Sequence, residues 1–327
     1  MVIMVYLDNC NQYRNVHGIL LLDKPVGETS NRSLRKVNDF FRAKKIGHTG
    51  TLDPLATGML PICFGEATKF SKYLLNADKR YKVVAKFGER TDTADSYGRV
   101  INVRPVVFDR NKLNKAIEYF KKRNFQTPPM FSALKYRGRP LYDYARKGIQ
   151  LSRIPRLISI YDLKVFYWDK RIISLEIHCS KGTYVRTFID DFGIYLGCGA
   201  HVISLRRLMV SRFLPTSMVT FEKIQNVANG KLEYFSCGSV INSLYDLLLP
   251  IDSGLLNMPT VNLSLSIANR IRLGKSINIV TSLNNCLVRV TVGEEQRFIG
   301  IGEVTSTQQL VPRRLVSFFV IFLVFIF

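Results

Sequence analysis

The chain has 327 residues, 47% hydrophobic and 22% charged, a balance that supports a buried core and excludes a chain disordered through its length. Lys and Arg number 47 against 25 Asp and Glu, a formal charge of +22, which points to a polyanionic partner whose phosphates exchange condensed counterions for basic side chains. The six cysteines form no Cys-x-x-Cys pair, which argues for scattered, reduced thiols in a cytoplasmic protein and against a disulfide-stapled scaffold.

Residues 1–16 read as an N-terminal extension without the apolar stretch of a signal peptide. Gly18 to Asp23, GILLLD, predicts a buried strand, and Lys24-Pro25-Val26-Gly27 a turn. A helix is predicted from Ser30, read as its N-cap, with Leu34, Val37, Phe40 and Phe41 on one face. Ile46 to Gly58, with three glycines and a proline, predicts an ordered loop, followed by a strand over Met59 to Phe64. Phe70, Tyr73 and Leu74 give one face of a short helix, and Arg80 to Phe87 a further strand.

Asp109 precedes a helix that turns Leu113, Ala116, Ile117 and Phe120 inward. From Asn124 to Gly148, three prolines and five Lys or Arg residues against one acid, Asp143, predict an exposed basic loop with a short helix. Alternation through Ile158–Trp168 and Ile172–Cys179 predicts an antiparallel pair, the second strand running on to Arg186. A helix over Thr187 to Leu196 and a strand over Val202 to Val210 complete a mixed sheet with flanking helices, an α+β fold.

Pro250-Ile251-Asp252 marks a boundary between a domain over 17–250 and a small β-rich one over 251–316. The latter has a basic helix over Ile267 to Leu273 and strands at Cys286–Val292 and Arg297–Val304. The end, LVSFFVIFLVFIF from Leu315 to Phe327, is shorter than the roughly 17–25 apolar residues that span a bilayer. An extended strand with a surplus apolar tail over 317–327 fits better than an interfacial anchor, and no stable membrane association is expected. Cys198 and His201 have a Cys-x-x-His spacing, but no second ligand pair follows, so no zinc site is expected.

The stretch richest in chemistry is Gly47 to Gly58, GHTGTLDPLATG. Pro54 stiffens the turn after Asp53 and presents that carboxylate rigidly, and orientation of this kind supplies about 7–11 kcal/mol of barrier reduction. Taken alone, an Asp in a Gly-rich loop is more often a turn former or cap. KGTYVR, Lys181 to Arg186, changes the balance: on a strand Tyr184 and Arg186 share a face, and an Arg facing a carboxylate keeps it ionised and fixes its rotamer. Tyr81, among Lys79, Arg80 and Lys82, has the setting of an aromatic on which an unpaired base stacks, although a strand tyrosine is by default packing.

KPVGETS (Lys24 to Ser30), GHTGTLDPLATGML (Gly47 to Leu60), RYKV (Arg80 to Val83) and GERTDTAD (Gly88 to Asp95) follow in order. PMFSALK (Pro129 to Lys135), CSKGTYVR (Cys179 to Arg186), LGCGAHVISLRRL (Leu196 to Leu208) and PRRLV (Pro312 to Val316) complete the set. Together they strongly resemble the TruB family of pseudouridine synthases, from about His17 to Val316. The resemblance implies a mixed-sheet catalytic domain of the pseudouridine synthase fold, a basic inserted thumb over 126–148 and a C-terminal PUA-like RNA-binding domain. It implies conversion of the T-loop uridine at position 55 of transfer RNA to pseudouridine, with the T-arm as partner, no cofactor or metal, and a monomer.

By the same resemblance Asp53 falls on the catalytic carboxylate, Arg186 on its pairing arginine and Tyr81 on the tyrosine that stacks on the target base. Tyr184 and Leu205 fall on the base pocket and His48 on the group that fills the place the uridine leaves. The thumb offers Lys135, Arg137 and Arg139 to RNA. The apolar ending after Val316 departs from the family pattern. A non-catalytic tRNA-binding or tRNA-folding protein is the alternative. A retaining glycosidase needs two carboxylates about 5–5.5 Å apart, and no second acid is evident, since Asp92 and Asp95 lie in another segment where Asp95 orders its own loop.

Overall fold

Strand β1 (Gly18–Lys24) alternates its side chains between two cores: Leu20 and Leu22 enter one apolar cluster, Ile19 and Leu21 the other. A strand buried on both faces reads as an unbroken apolar run, as this one does. The computed structural model describes residues 13–231, 233–234, 240–241 and 243–317. The first twelve residues and the apolar tail from 318 lie outside the described residues, so the extension and the tail predicted above rest on sequence alone.

Helix α1 (Ser30–Phe41) is capped by Thr29, whose side chain accepts from the Arg32 N–H. Ser30, expected as the cap, is instead the first helical residue. It is buried, and its hydroxyl exchanges hydrogen bonds with the carbonyl and N–H of Leu52, 3.1 and 2.9 Å away. The helix buries Val37 and Phe41, with Leu34 and Phe40 packed alongside. The loop expected over Ile46 to Gly58 is shorter, because β2 (Ile46–His48) and β3 (Thr57–Phe64) claim its ends by pairing with each other.

A 3-10 turn over Gly65–Phe70 leads into α2 (Ser71–Asn76), and β4 (Lys79–Phe87) follows. The hairpin of β5 (Glu89–Thr91) and β6 (Val100–Val103) precedes α3 (Arg110–Lys121), which Asp109 caps by accepting from the Lys112 N–H. Strand β7 (Phe125–Gln126) opens the inserted segment. The segment contains the hairpin β8 (Lys135–Tyr136) and β9 (Arg139–Pro140), then α4 (Leu141–Arg146), and closes with β10 (Arg156–Leu157) pairing back onto β7.

Strands β11 (Ile160–Trp168) and β12 (Ile172–Cys179) pair antiparallel as predicted. The expected run of the second strand to Arg186 does not occur. The chain turns at Lys181-Gly182, where the Thr183 hydroxyl donates to the Ser180 carbonyl, and helix α5 (Val185–Leu196) begins with Arg186 in its first turn. Strand β13 (Ala200–Val210), helix α6 (Phe221–Ala228) and the short pair β14 (Glu233–Tyr234) with β15 (Val240–Ile241) complete this part.

The main sheet runs β1-β3-β13-β4-β12-β11, with β2 on the edge of β3. All its pairings are antiparallel except β3 with β13, which touch in parallel at Thr57–Arg206 and Gly58–Arg207. One face carries the large core, where Phe120 of α3 meets Phe188 and Phe192 of α5, each with ring centres 5.2 Å apart.

The C-terminal unit comprises β16 (Thr260–Leu263), α7 (Leu265–Arg272), β17 (Ile277–Asn278), β18 (Cys286–Val292), β19 (Arg297–Val304) and β20 (Gln309–Leu315). They form a five-stranded sheet in the order β16-β18-β19-β20-β17. It has a separate core around Ile271, Val288 and Val290. It joins the rest through Phe70 against Phe298 (ring centres 5.2 Å apart) beside Leu255 and Ile301, and through an ion pair of Arg289 with Asp252. Among the described residues no helix is long and apolar enough to cross a membrane.

Candidate active site

The loop between β2 and β3 is held from several sides. The Thr49 N–H donates to Pro61 O (2.9 Å), the Gly27 N–H to Pro54 O (2.8 Å) and the Ala56 N–H to Asp53 O (3.0 Å), while Leu52, Leu55 and Ala56 are buried. Gly58 sets its far end. Its φ is 95°, and a Cβ there would lie 2.3 Å from the Arg207 carbonyl, so only glycine lets β3 approach β13 this closely. Asp53 projects from this framework with its side chain 36% exposed.

Arg186, 5% exposed, reaches Asp53 from α5: Nε donates to Oδ2 (2.8 Å) and Nη2 to Oδ1 (3.0 Å). The remaining donors are also used, Nη1 on Thr93 O and Nη2 on Phe131 O, each at 2.8 Å. One guanidinium therefore ties together the Asp53 loop, the turn at 93–95, the inserted segment and α5. A planar fork matches a carboxylate in two places at once, which fixes distance and plane together.

Asp95 is the acid that sequence reasoning placed too narrowly. It does order its own loop, since Oδ1 accepts from the Thr93 hydroxyl (2.7 Å) and the Tyr97 N–H (3.1 Å). Its Oδ2 also lies 3.5 Å from Arg186 Nη1, in a residue only 5% exposed. The Arg186 charge thus meets two carboxylates, one buried and one open to solvent. The run GERTDTAD contained the signal, but a sequence does not say which face of a turn an acid occupies.

Tyr81 leaves β4 on the core face, 9% exposed, together with Val83 and Ala85; Leu205 of β13, 4% exposed, joins the same cluster. Burial pushes the Tyr81 phenol up from its ordinary value, and the adjoining Arg207 charge acts against that rise. Tyr184 sits just before α5, half-buried, with its phenol pushed up by burial and Ser132 of the inserted segment beside it. Its backbone is fastened by Gln126, whose amide accepts from the Tyr184 N–H (2.8 Å) and donates to its carbonyl (3.0 Å). Tyr184 and Arg186 therefore meet the site from a helix start, not from one face of a strand.

His48 places Nε2 3.2 Å from Asn31 Oδ1, and its Nδ1 is buried without a partner. Burial, helped by the Arg207 charge, lowers its pKa and favours the neutral imidazole. Lys135, Arg137 and Arg139 stand exposed on the β8–β9 hairpin, on the segment whose base is bonded to Tyr184 and Arg186.

Three cations prove buried that the sequence did not mark as such: Lys79, expected in the basic setting of Tyr81, is 6% exposed, and Lys24 and Arg207 were passed over. Lys24 is fully buried, with Nζ donating to Pro25 O (2.8 Å) and Glu28 O (2.7 Å), and burial pushes its pKa down to about 8. Arg207, 1% exposed, donates from Nε to Met59 O (2.6 Å) and from Nη2 to Gly50 O (3.0 Å). The strand period could have found it, since residues 205 and 207 share a face. Among the described residues no group of three or more His, Cys, Asp or Glu side chains could hold a metal ion. The Cys198 thiol approaches Gly199 O and His201 Nδ1 lies 3.2 Å from Glu89 O.

Three family models match consecutive parts of the chain. The TruB family pseudouridylate synthase N-terminal domain matches residues 38–185, the tRNA pseudouridylate synthase B C-terminal domain 186–256, and the pseudouridine synthase II TruB C-terminal region 259–316. The tRNA pseudouridine synthase B of Sodalis glossinidius is 52% identical over 304 residues, covering 93% of this chain and 96% of that one. That of Cronobacter sakazakii is 51% identical over 305 residues with the same coverage. Among solved structures, a Cbf5-Nop10-Gar1 complex aligns with a TM-score of 0.67 at 21% identity, over 92% of this chain and 84% of that one, a likeness of fold. With relatives of about half identity along nearly its whole length, and the motifs of the Asp53 loop and the Arg186 turn in place, the chain belongs to the TruB family of pseudouridylate synthases.

Proposed function

We propose that the chain converts a uridine of transfer RNA to pseudouridine, at position 55 of the T-loop, with Asp53 as the catalytic carboxylate. The observation that carries the proposal is the two-pronged Arg186–Asp53 contact on a rigid loop, beside Tyr81, Tyr184 and Leu205. A carboxylate so fixed, and still 36% exposed, is oriented and open to a ribose entering from solvent. The uridine leaves its stack at a cost of a few kcal/mol and lies against Tyr81. Asp53 acts on the sugar as the N1–C1′ bond breaks and its electron pair leaves with uracil. The base then turns, C5 joins C1′, the C5 proton is lost and N1 takes up a proton, so the product is an isomer of the substrate, uracil is both leaving group and returning nucleophile, and no cofactor enters the balance. His48 fills the place the uridine vacates.

The basic hairpin with Lys135, Arg137 and Arg139 closes on the T-arm, and residues 251–316 act as a PUA-like RNA-binding domain beside the catalytic domain over 17–250. The protein works as a cytoplasmic monomer. Tritium release from tRNA labelled at uracil C5, followed by mapping of the modified position, tests the proposal. Release with pseudouridine at position 55 supports it; tRNA binding without release would leave a tRNA-binding or tRNA-folding protein.

A further inference from the structure

Arg207 is a charge in the core with no counter-ion among the described residues. Its guanidinium is 1% exposed, and none of the ion pairs among the described residues includes it. Burying an uncompensated charge costs several kcal/mol, and the carbonyls of Met59 and Gly50 would be satisfied by a neutral donor as well. Packing and hydrogen bonding alone therefore do not explain a full positive charge at this position.

The surroundings do. Arg207 on β13 stands directly opposite Tyr81 on β4 in the antiparallel register, so both side chains leave the sheet on one face and the guanidinium adjoins the phenol. Gly50, which it holds, lies three residues before Asp53, and Met59 begins the core of the strand after the loop. One group thus touches the tyrosine and both ends of the loop that carries the carboxylate.

We propose that Arg207 is a positioning residue for the isomerisation: acting through the Tyr81 hydroxyl from behind the pocket, it keeps the stacking ring and the Asp53 loop in register while uracil departs and rejoins. The inference rests on the function proposed above. Arg207 does not reach the substrate. When the N1–C1′ bond breaks, its electron pair goes onto uracil against the Tyr81 ring, and the cation behind the ring favours that charge without moving.

A double-mutant cycle tests the proposal. Single-turnover rates and tRNA dissociation constants are measured for Arg207→Lys and Arg207→Gln, each alone and combined with Tyr81→Phe, with thermal unfolding followed for every variant. In the wild-type background both Arg207 variants should lose about tenfold or more in rate while tRNA affinity stays within about twofold, and in the Tyr81→Phe background most of that loss should vanish. An equal loss in both backgrounds would show a purely structural role and overturn the proposal, as would a Tyr81→Phe enzyme with wild-type rate. Failure of both Arg207 variants to fold would likewise make the residue structural only. A wild-type protein that makes no pseudouridine is a different failure, which strikes the proposed function itself.

Discussion

Asp53 and Arg186 lie 133 positions apart in the chain and meet through two parallel hydrogen bonds, 2.8 and 3.0 Å long. The two ends of this contact are unequal: the carboxylate is 36% exposed and the guanidinium 5%. Asp53→Asn keeps size and one acceptor but removes the charge, so turnover should fall to background while tRNA affinity changes by less than about tenfold, ~1.4 kcal/mol. The thermal unfolding temperature should also fall, though less than for loss of the arginine, because the buried guanidinium keeps Asp95 as its one carboxylate partner. Arg186→Lys should fail on both counts. An ammonium cannot serve Asp53, Thr93 O, Phe131 O and Asp95 together, and breaking a buried pair costs about 3–5 kcal/mol. Single-turnover assays with parallel melting curves check both; an Asp53→Asn protein with near wild-type turnover would end the catalytic assignment.

The strands were legible in the sequence because a strand buried on both faces reads as an unbroken apolar run, as in Ile19 to Leu22, and one buried on a single face alternates, as in Ile172 to Cys179. The Asp53 loop was legible from its glycines and proline. Where reading failed, a side chain had been taken from the local pattern by a distant partner. Ser30 looks like a cap, but Leu52 engages its hydroxyl and Thr29 caps instead. Tyr184 and Arg186 alternate like strand residues, yet the turn at Lys181-Gly182 ends the strand before them. Asp95 meets Arg186 across 91 positions, a separation that no local period encodes, and the strand period that puts Arg207 on the buried face with Leu205 does not give its contacts 148 or more positions away.

Electrostatic grip is the next expectation. For 6–10 phosphate contacts, tRNA affinity should fall by about 10³–10⁵ between 50 and 200 mM salt. Replacing Lys135, Arg137 and Arg139 by Ala should lower the slope of log affinity against log salt by about 0.7–0.9 for each phosphate no longer neutralised. The three side chains are exposed, so the fold should hold and turnover at low salt should survive. Filter binding across a salt series measures the slope; an unchanged slope would remove the hairpin from the RNA interface.

Stability at high pH should report the buried lysines. Lys79, 6% exposed, donates from Nζ to Leu74 O, Leu75 O and Ala77 O, and burial pushes its pKa from 10.5 down to about 8. Lys24 has the same lowered value. Between pH 8 and 10.5 the unfolded chain therefore holds more protons than the fold. Stability should rise with pH through that window, by at most about 1.4 kcal/mol per pH unit for each lysine, and be flat below it on their account. Lys79→Met should be less stable at pH 7, having given up three hydrogen bonds, and should rise less steeply. Denaturant unfolding at pH 7, 8, 9 and 10 compares the slopes; equal slopes would mean that Lys79 is not a titrating group.

Gly58 offers the most direct test of how the loop is held. Strands β3 and β13 pair at only two residue pairs, Thr57–Arg206 and Gly58–Arg207, and that contact sets the far end of the Asp53 loop. A Cβ at Gly58 would lie 2.3 Å from the Arg207 carbonyl and 3.0 Å from its nitrogen, with φ at 95°. Backbone cannot swing aside as a side chain can, so Gly58→Ala combines dihedral strain with a collision and should cost about 2–4 kcal/mol. Gly230 separates the two effects: its φ is 74°, but a Cβ there would meet nothing within 4 Å. Gly230→Ala should show the strain alone, about 1–2 kcal/mol, with pseudouridine formation unchanged. Gly58→Ala should lose more stability and, at a temperature where it remains folded, most of its turnover, because the parting strands displace Thr57 and the carboxylate four residues before it. If the two variants behaved alike in melting and in turnover, the close approach of β3 to β13 would not be what aims Asp53.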